Sequence, residues 1–151
     1  MEFSLQHVRV REHSVQVGEE VDVDNVNRDT TVVQSICFLE RLSIASYELT
    51  PAPRVWRYAF TVFLGARVVE KDMSEEEREG LVTITASFDV AYDNKKHIEL
   101  DKDNYLQKYK LDPLKAAWPY WLELVSNSCH RIGYYPPIKS PNRVPELHPP
   151  N

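Results

Sequence analysis

"WPYWLELVSNSCHRIGYYPPIKSP", residues 118–141, is the stretch that decides the fold of this 151-residue chain. Apolar residues within it and just before it recur at steps of three, four or seven, which is the spacing of one helix face. These residues are Leu114, Trp118, Trp121, Leu122, Val125, Cys129 and Ile132. Because proline is tolerated in the first turn of a helix but not in its middle, we expect the regular helix to begin near Trp118. Gly133 should end it, in the position after the last turn.

Upstream of this helix the sequence changes to the period of two that strands require. In LVTITASFDVAY, residues 81–92, apolar and polar side chains alternate, which predicts an antiparallel strand with one buried face. Residues 57–69 alternate similarly but carry apolar groups on both faces, and residues 31–49 are rich in β-branched and aromatic residues. Both segments therefore predict strands. Arg41 interrupts the pattern of the second one, so we expect a bulge there.

The remaining segments complete the predicted fold. Residues 3–10 and 15–17 contain two shorter alternations that also predict strand, whereas residues 98–112 fit either a short helix or an irregular crossing. Strands followed by one long helix indicate an α+β domain, with the helix packed against one face of the sheet. We assign residues 1–140 to this single domain. Residues 141–151 form a tail that is too rich in proline for a helix or an interior strand.

The composition is that of an ordinary folded chain. Hydrophobic residues make up 42% and charged residues 27%, and the net charge of -5 lacks the basic excess that nucleic-acid binding requires. Cys37 and Cys129 lie far apart in sequence and support neither a disulfide framework nor a zinc knuckle. The first residues lack the apolar run of a signal peptide, and no stretch is long enough to span a membrane. We therefore expect a cytoplasmic protein.

The residue patterns of known catalytic sites do not occur in this sequence. The five histidines have neither the HExxH nor the HxH spacing of a metal site, and the four glycines do not form a phosphate loop. Cys129 and His130 are neighbours, but successive helical residues point about 100° apart. Since Cys129 belongs to the apolar stripe, it should be a buried and inert thiol. We expect no enzyme activity, no metal and no cofactor.

The opening stretch also carries a family resemblance. An aromatic-Pro-Tyr triplet at residues 118–120, an amphipathic helix, Gly133 with two tyrosines and two prolines after it, and a Pro-Asn pair at residues 141–142 resemble the C-terminal half of the SecB family of export chaperones. The resemblance covers residues 81–147. The family's usual phenylalanine after the Pro-Asn pair and its acidic C-terminal extension are both missing. The chain is therefore more similar to a divergent member, such as the SecB-like chaperones of toxin-antitoxin systems.

This resemblance implies a four-stranded antiparallel sheet with a long helix across it, in subunits that assemble into a homotetramer, a dimer of dimers. It also implies a holdase, which binds unfolded polypeptides without ATP through apolar and aromatic grooves. We expect the client-binding grooves to be lined by Trp118, Tyr120, Tyr134, Tyr135 and Ile138, with Phe60 and Phe63 from the sheet. Adjacent residues of an extended segment point to opposite sides, so one of Tyr134 and Tyr135 should pack inward while the other stays exposed.

Protein partners follow from the same resemblance. Acidic residues on the sheet of export-type SecB recruit the motor protein SecA. Four glutamates lie at a similar place between two predicted strands, namely Glu75, Glu76, Glu77 and Glu79. A merely solvated connection explains these acids as well. The expected partners are thus unfolded clients, together with SecA or a cognate antitoxin.

Two functions of other classes remain open. The same aromatic residues could form the specific interface of a dedicated adaptor for one protein. A small α+β cup, with one helix over a curved sheet, could instead hold an apolar ligand. The solution mass, combined with an aggregation assay on several unrelated substrates, separates these functions from a general chaperone.

Overall fold

The computed structural model of the protein describes residues 3–48, 54–73, 79–139 and 144–145. Within these ranges the chain forms four strands, one long helix and a short 3₁₀ helix at Val23–Asn25. The strands and the long helix are β1 (Ser4–Val17), β2 (Thr31–Glu48), β3 (Arg54–Glu70), β4 (Val82–Asn94) and α1 (Pro113–Ile132). Neighbouring strands pair antiparallel in the order β1-β4-β3-β2, and α1 packs across the sheet. The predicted α+β class is confirmed.

The central strands β3 and β4 carry the core on the side of the sheet that α1 covers, here called the inner face. Their side chains meet there in cross-strand rows. Phe60 lies opposite Val90 and Val62 lies opposite Phe88, and none of the four has exposed surface. All six residues of β4 that were predicted to point inward, at every second position from Val82, are buried. The inward positions predicted for this strand are confirmed, but Ser87, Ala91 and Asp93 on its other face are buried as well.

Both edge strands are irregular. In β2 the pairing with β3 shifts between Leu39 and Arg41, which confirms the bulge predicted at Arg41. In β1 the pairing with β4 shifts twice, after Leu5 and again after Val10. Because pairing resumes beyond each shift, the two short alternations predicted near the start of the chain belong to one continuous strand.

Residues 95–112 cross from the end of β4 to the start of α1 without forming a helix or a strand. The buried apolar side chains of this segment are Ile98, Leu100, Tyr105 and Leu111. Tyr58 of β3 holds the crossing in place, since its hydroxyl donates to the Ile98 carbonyl at 2.8 Å and accepts from the Ile98 N–H at 2.6 Å. Of the two structures predicted for this segment, the irregular crossing is correct.

The helix α1 begins earlier than predicted. Its first residue is Pro113, and the Asp112 carboxylate caps it by accepting from the Lys115 N–H at 3.0 Å. The predicted start near Trp118 is wrong, because Pro119 lies inside the helix. Pro119 has no N–H to offer the Lys115 carbonyl, but both residues are exposed, so water can bind that oxygen.

The helix ends as predicted. Gly133 has a φ of 78°, in the left-handed region that favours glycine, and its N–H and that of Tyr134 donate to carbonyls of the last turn. Six residues of the predicted apolar stripe are buried or half-buried, but Leu122 is 40% exposed. Leu122 therefore belongs to the surface. No helix within the described ranges is long and apolar enough to cross a membrane.

Candidate functional site

The residues predicted to line a client-binding groove do not lie on one surface of the single chain. Four of them are in the core, with exposed fractions of 6% or less: Phe60, Trp118, Tyr134 and Ile138. Phe63 is half-buried on the opposite side of the sheet, and Tyr120 and Tyr135 are 50% and 73% exposed. Tyr120 and Tyr135 are therefore the two predicted residues with largely exposed rings. For all seven residues, client contact stays a prediction.

Tyr134 and Tyr135 separate as predicted, one inward and one outward. The left-handed turn at Gly133 directs the chain back toward α1, where the Tyr134 N–H donates to the Cys129 carbonyl at 2.9 Å. The Arg28 guanidinium stacks over the inward Tyr134 ring at 4.1 Å and also donates to the Pro136 carbonyl. The loop before β2 thus holds this segment in place and leaves Tyr135 exposed.

The exposed ring of Tyr135 has a single aromatic neighbour among the described ring contacts. It lies nearly perpendicular to the His130 imidazole, with ring centres 5.8 Å apart. An aromatic ring held against one side of a helix, with most of its surface in water, is typical of a protein contact surface.

Cys129 lies beneath this segment and has no exposed surface. Burial raises the pKa of its thiol, although a backbone hydrogen bond to Ile138 and the charge of Arg28 act in the opposite direction. The thiol is therefore protonated at neutral pH, and the adjacent His130 side chain lies exposed on the helix surface. The prediction that Cys129 is a buried thiol is confirmed.

Trp118 has a polar group that the described part of the chain does not satisfy. Its side chain is 6% exposed, and its indole N–H is buried without a hydrogen-bond acceptor among the described residues. An unpaired buried donor costs about 1–3 kcal/mol. A contact between Trp118 and a client stays a prediction.

Further apolar surface lies on both sides of α1. Tyr120 and Leu122 are 50% and 40% exposed, and residues two positions apart on a helix point about 200° apart. They therefore lie on opposite flanks of the buried stripe. The side of α1 that points away from the sheet is polar and includes Glu123, Ser126, Asn127, His130 and Arg131.

The two edge strands carry most of the other exposed apolar groups. On β1 these are Leu5, Val10 and Val17, and on β2 they are Val33, Ile36 and Ile44. Each of these strands pairs with one neighbour in the described sheet, so its second edge presents free backbone N–H and C=O groups. Long edges with exposed apolar side chains invite pairing with a further strand.

The side of the sheet opposite α1, here called the outer face, is polar near the end of the β2–β3 pairing. Asp93 of β4 accepts two hydrogen bonds from Arg57 of β3, at 2.8 and 3.1 Å, and one from the Tyr47 hydroxyl of β2. Burial acts to raise the pKa of Asp93, but these hydrogen bonds together outweigh it and hold the pKa below its usual value. This network connects three strands through charged-group contacts.

A charged cleft lies farther along the outer face, with a volume of about 350 Å³. Its lining includes Arg11, Glu12, Glu40, Arg41, Thr61 and Ser87. The buried Ser87 hydroxyl donates weakly to Glu40, at 3.3 and 3.4 Å. Arginines and glutamates are interspersed here, so this part of the outer face is not uniformly acidic.

Three of the four acidic residues predicted to recruit a partner, Glu75, Glu76 and Glu77, lie outside the described residues. Glu79 is exposed just before β4. A role for these four residues stays a prediction.

Comparison with known proteins adds one finding. No protein-family model and no curated protein matches the sequence. The structure is similar to that of the SecB-like chaperone Rv1957 of Mycobacterium tuberculosis, solved in complex with a ChAD peptide from the Rv1956 HigA1 antitoxin. The match has a TM-score of 0.57 and covers 96% of this chain and 93% of that chain, at 10% sequence identity. The likeness shows that the chain has a SecB-like fold.

Proposed function

We propose that this protein is an ATP-independent holdase that binds unfolded polypeptides, as the SecB-like fold and its exposed apolar groups together suggest. The observation that carries the proposal is the distribution of those groups. They occur on both edge strands, on both flanks of α1 and on the segment after it. A single small ligand would need them gathered in one pocket, whereas an extended, variable polypeptide can use separate contacts.

Separate weak contacts can hold a long client firmly. Once one segment of the client is bound, the others are present at an effective concentration in the millimolar range or so. Binding of the unfolded chain then lowers the population that can aggregate, and this requires no nucleotide and no catalytic residue. We therefore assign no enzyme activity to the protein.

Assembly into a dimer of dimers is part of the proposal. An isolated subunit would leave the exposed apolar groups and free backbone of β1 and β2 in water, which favours uncontrolled association. Pairing between copies covers such edges and aligns the surfaces of several subunits for one client. The domain at residues 1–140 would form the assembly in the cytoplasm, and the proline-rich residues 141–151 would follow it as a tail.

A cognate antitoxin is the favoured specific client, because the similar structure holds a peptide from an antitoxin. A role in export through SecA is the alternative and would use Glu75, Glu76, Glu77 and Glu79. Charge-dependent recruitment weakens as salt screens it, whereas apolar client binding does not. Binding measured between low and high salt therefore distinguishes a SecA contact from a client contact.

The test is an aggregation assay with three unrelated proteins diluted from denaturant, followed by light scattering in the absence of nucleotide. The wild type should suppress scattering of all three near equimolar amounts. A variant with Tyr120→Ser and Tyr135→Ser should lose much of this effect. A matched control with Lys102→Ser and Asp103→Ser, two exposed residues of the crossing segment whose joint replacement leaves the net charge unchanged, should retain it.

The same assay can overturn the proposal. If the wild type protects none of the three proteins, the holdase function is wrong. Protection of one antitoxin alone would indicate a dedicated adaptor, and a monomeric protein that binds a small apolar molecule would indicate the ligand-binding cup. Equal activity of the tyrosine variant and its control would show that Tyr120 and Tyr135 are not contact residues.

A further inference from the structure

A groove of about 620 Å³ lies on the outer face, away from α1 and at the opposite end of the sheet from the Asp93 network. It is built around Gly65, which lies in the interior of β3. Ile36 of β2 and Thr85 of β4 flank this glycine in one cross-strand row. Glycine weakens the middle of a strand and often marks a place where another chain approaches closely.

The missing side chain at Gly65 gives the groove an apolar floor. A Cβ at this position would lie 2.9 Å from Ile36 Cγ2 and 3.6 Å from Phe63 Cε1. Both side chains therefore occupy the space beside the glycine that a larger residue would fill. Phe63 also stacks on Phe38, with ring centres 4.9 Å apart. Ile36 nevertheless keeps 55% of its surface exposed. The groove thus offers apolar surface that this chain leaves largely uncovered.

One cation lies at the end of this floor. Arg67 is two residues beyond Gly65 on the same strand, and its Nε donates to Gln34 Oε1 at 2.8 Å. None of the ion pairs formed within the described part of the chain includes Arg67. The rest of its planar guanidinium can therefore receive a carboxylate from outside, which is the group that arginine binds best.

We propose that this groove binds an extended peptide in which an apolar side chain is followed, two residues later, by aspartate or glutamate. Residues i and i+2 of an extended chain lie on one side and about 7 Å apart, which is also the spacing from Gly65 to Arg67. The apolar side chain fits over Ile36 and Phe63 while the carboxylate reaches Arg67. The Thr85 methyl group, 3.5 Å from where a Gly65 Cβ would lie, adds apolar surface at the side of the groove.

This site goes beyond the proposed holdase function in two respects. It lies on the opposite side of the sheet from α1. It also recognises a defined pair of side chains, whereas a holdase surface accepts any unfolded segment. The spacing favours a peptide over a free fatty acid, which has no backbone to align with the strand. A short soluble peptide can therefore test the site without any aggregation assay.

The experiment measures the fluorescence anisotropy of a labelled peptide, Ser-Thr-Ser-Leu-Thr-Glu-Thr-Ser, titrated with the full chain. Two further peptides replace the leucine with serine or the glutamate with glutamine. Arg67→Gln should weaken the binding of the glutamate peptide about threefold to tenfold and leave the affinity for the glutamine peptide unchanged. Arg41→Gln makes the same charge change in the charged cleft and is the matched control. It should alter the affinity for neither peptide.

Filling the floor tests the apolar half of the site. Gly65→Ala should displace the Ile36 side chain and weaken the binding of the glutamate peptide about fivefold or more. Circular dichroism checks that this variant is folded. If Gly65→Ala does not fold, Ile36→Ser takes its place, because Ile36 is exposed on an edge strand. The proposal is overturned if the peptide fails to bind, if Arg41→Gln weakens it as much as Arg67→Gln, or if the floor variant binds normally.

The aggregation assay, repeated with the Arg67→Gln variant, tests this proposal separately from the holdase function. The expected result is normal suppression together with weakened peptide binding. Normal peptide recognition in a protein that suppresses no aggregation would support the groove and contradict the holdase function. Loss of suppression in this variant, with peptide binding unchanged, would contradict the groove.

Discussion

The inner and outer faces of one sheet show how differently alternate residues of the same strands are used. On the inner face of β3, Tyr58, Phe60 and Val62 are fully buried under α1 and the crossing segment. On the outer face of that strand, Arg57 binds a carboxylate, Phe63 is half-buried and Gly65 underlies a groove. The inner face therefore forms an apolar core, whereas the outer face combines a charged network, a half-buried ring and a groove.

The largest expected effect comes from comparing two phenylalanines of β3. Phe60→Ala leaves a cavity in the core and should lower the free energy of unfolding by about 3–5 kcal/mol. Phe63→Ala removes a half-buried ring and its stacking contact, so about 1–2 kcal/mol is expected. Urea denaturation of both variants measures the difference. Equal losses would mean that the outer face is as much a part of the core as the inner face.

The two adjacent tyrosines after α1 provide the same contrast within two residues. Tyr134→Ala removes a buried ring and its contact with Arg28, and should cost about 3 kcal/mol. Tyr135→Ala should change stability by no more than about 0.5 kcal/mol but reduce client binding. Thermal melting gives the first result and client titration the second. A stability loss at Tyr135 comparable to that at Tyr134 would refute its assignment to the binding surface.

The exposed side of α1 should respond in the opposite direction. Pro119→Ala restores an N–H for the Lys115 carbonyl in a solvent-exposed turn and should raise stability by about 1–2 kcal/mol. Chemical denaturation measures this gain, with Lys115→Ala as a control that leaves the backbone bonding unchanged. A loss of stability would show that Pro119 has a packing role that its exposure does not indicate.

The smallest effect concerns the Asp93 network on the outer face. A carboxyl whose pKa is lower in the folded state contributes stability that is present above its unfolded pKa, near 4, and is lost as the pH falls through the folded pKa. The wild type should therefore lose more stability than Asp93→Asn between pH 5 and pH 2. Denaturation at a series of pH values tests this, and parallel curves would show that Asp93 titrates normally.

The sequence predicts the sheet well because alternation is a local signal. The inward residues of β4 and the bulge at Arg41 follow from the residues themselves. The predicted helix start was wrong because it excluded proline from the middle of a helix. Pro119 is tolerated there because the Lys115 carbonyl that it leaves unpaired is exposed to water. The exposed position of Leu122 depends on how far the sheet extends beside α1, which helical spacing does not encode.

The candidate site was less predictable because it depends on contacts between distant segments. The division between Tyr134 and Tyr135 follows from local geometry, but the burial of Trp118 and Ile138 depends on how the crossing and the last segment pack. Gly65 lies in the interior of a strand, where glycine is unfavourable, and could have signalled the groove. Its significance appears only when the register places Ile36 and Thr85 beside it.

Site-specific photo-crosslinking to an unfolded client tests the central claim most directly. A photoreactive phenylalanine analogue is placed in turn at positions 120, 135 and 102, with the last position in the crossing segment, where Lys102 is exposed. We predict that positions 120 and 135 crosslink a denatured client without nucleotide and that position 102 does not. Equal crosslinking at all three positions, or none at 120 and 135, would contradict the assignment of client binding to the exposed aromatic groups.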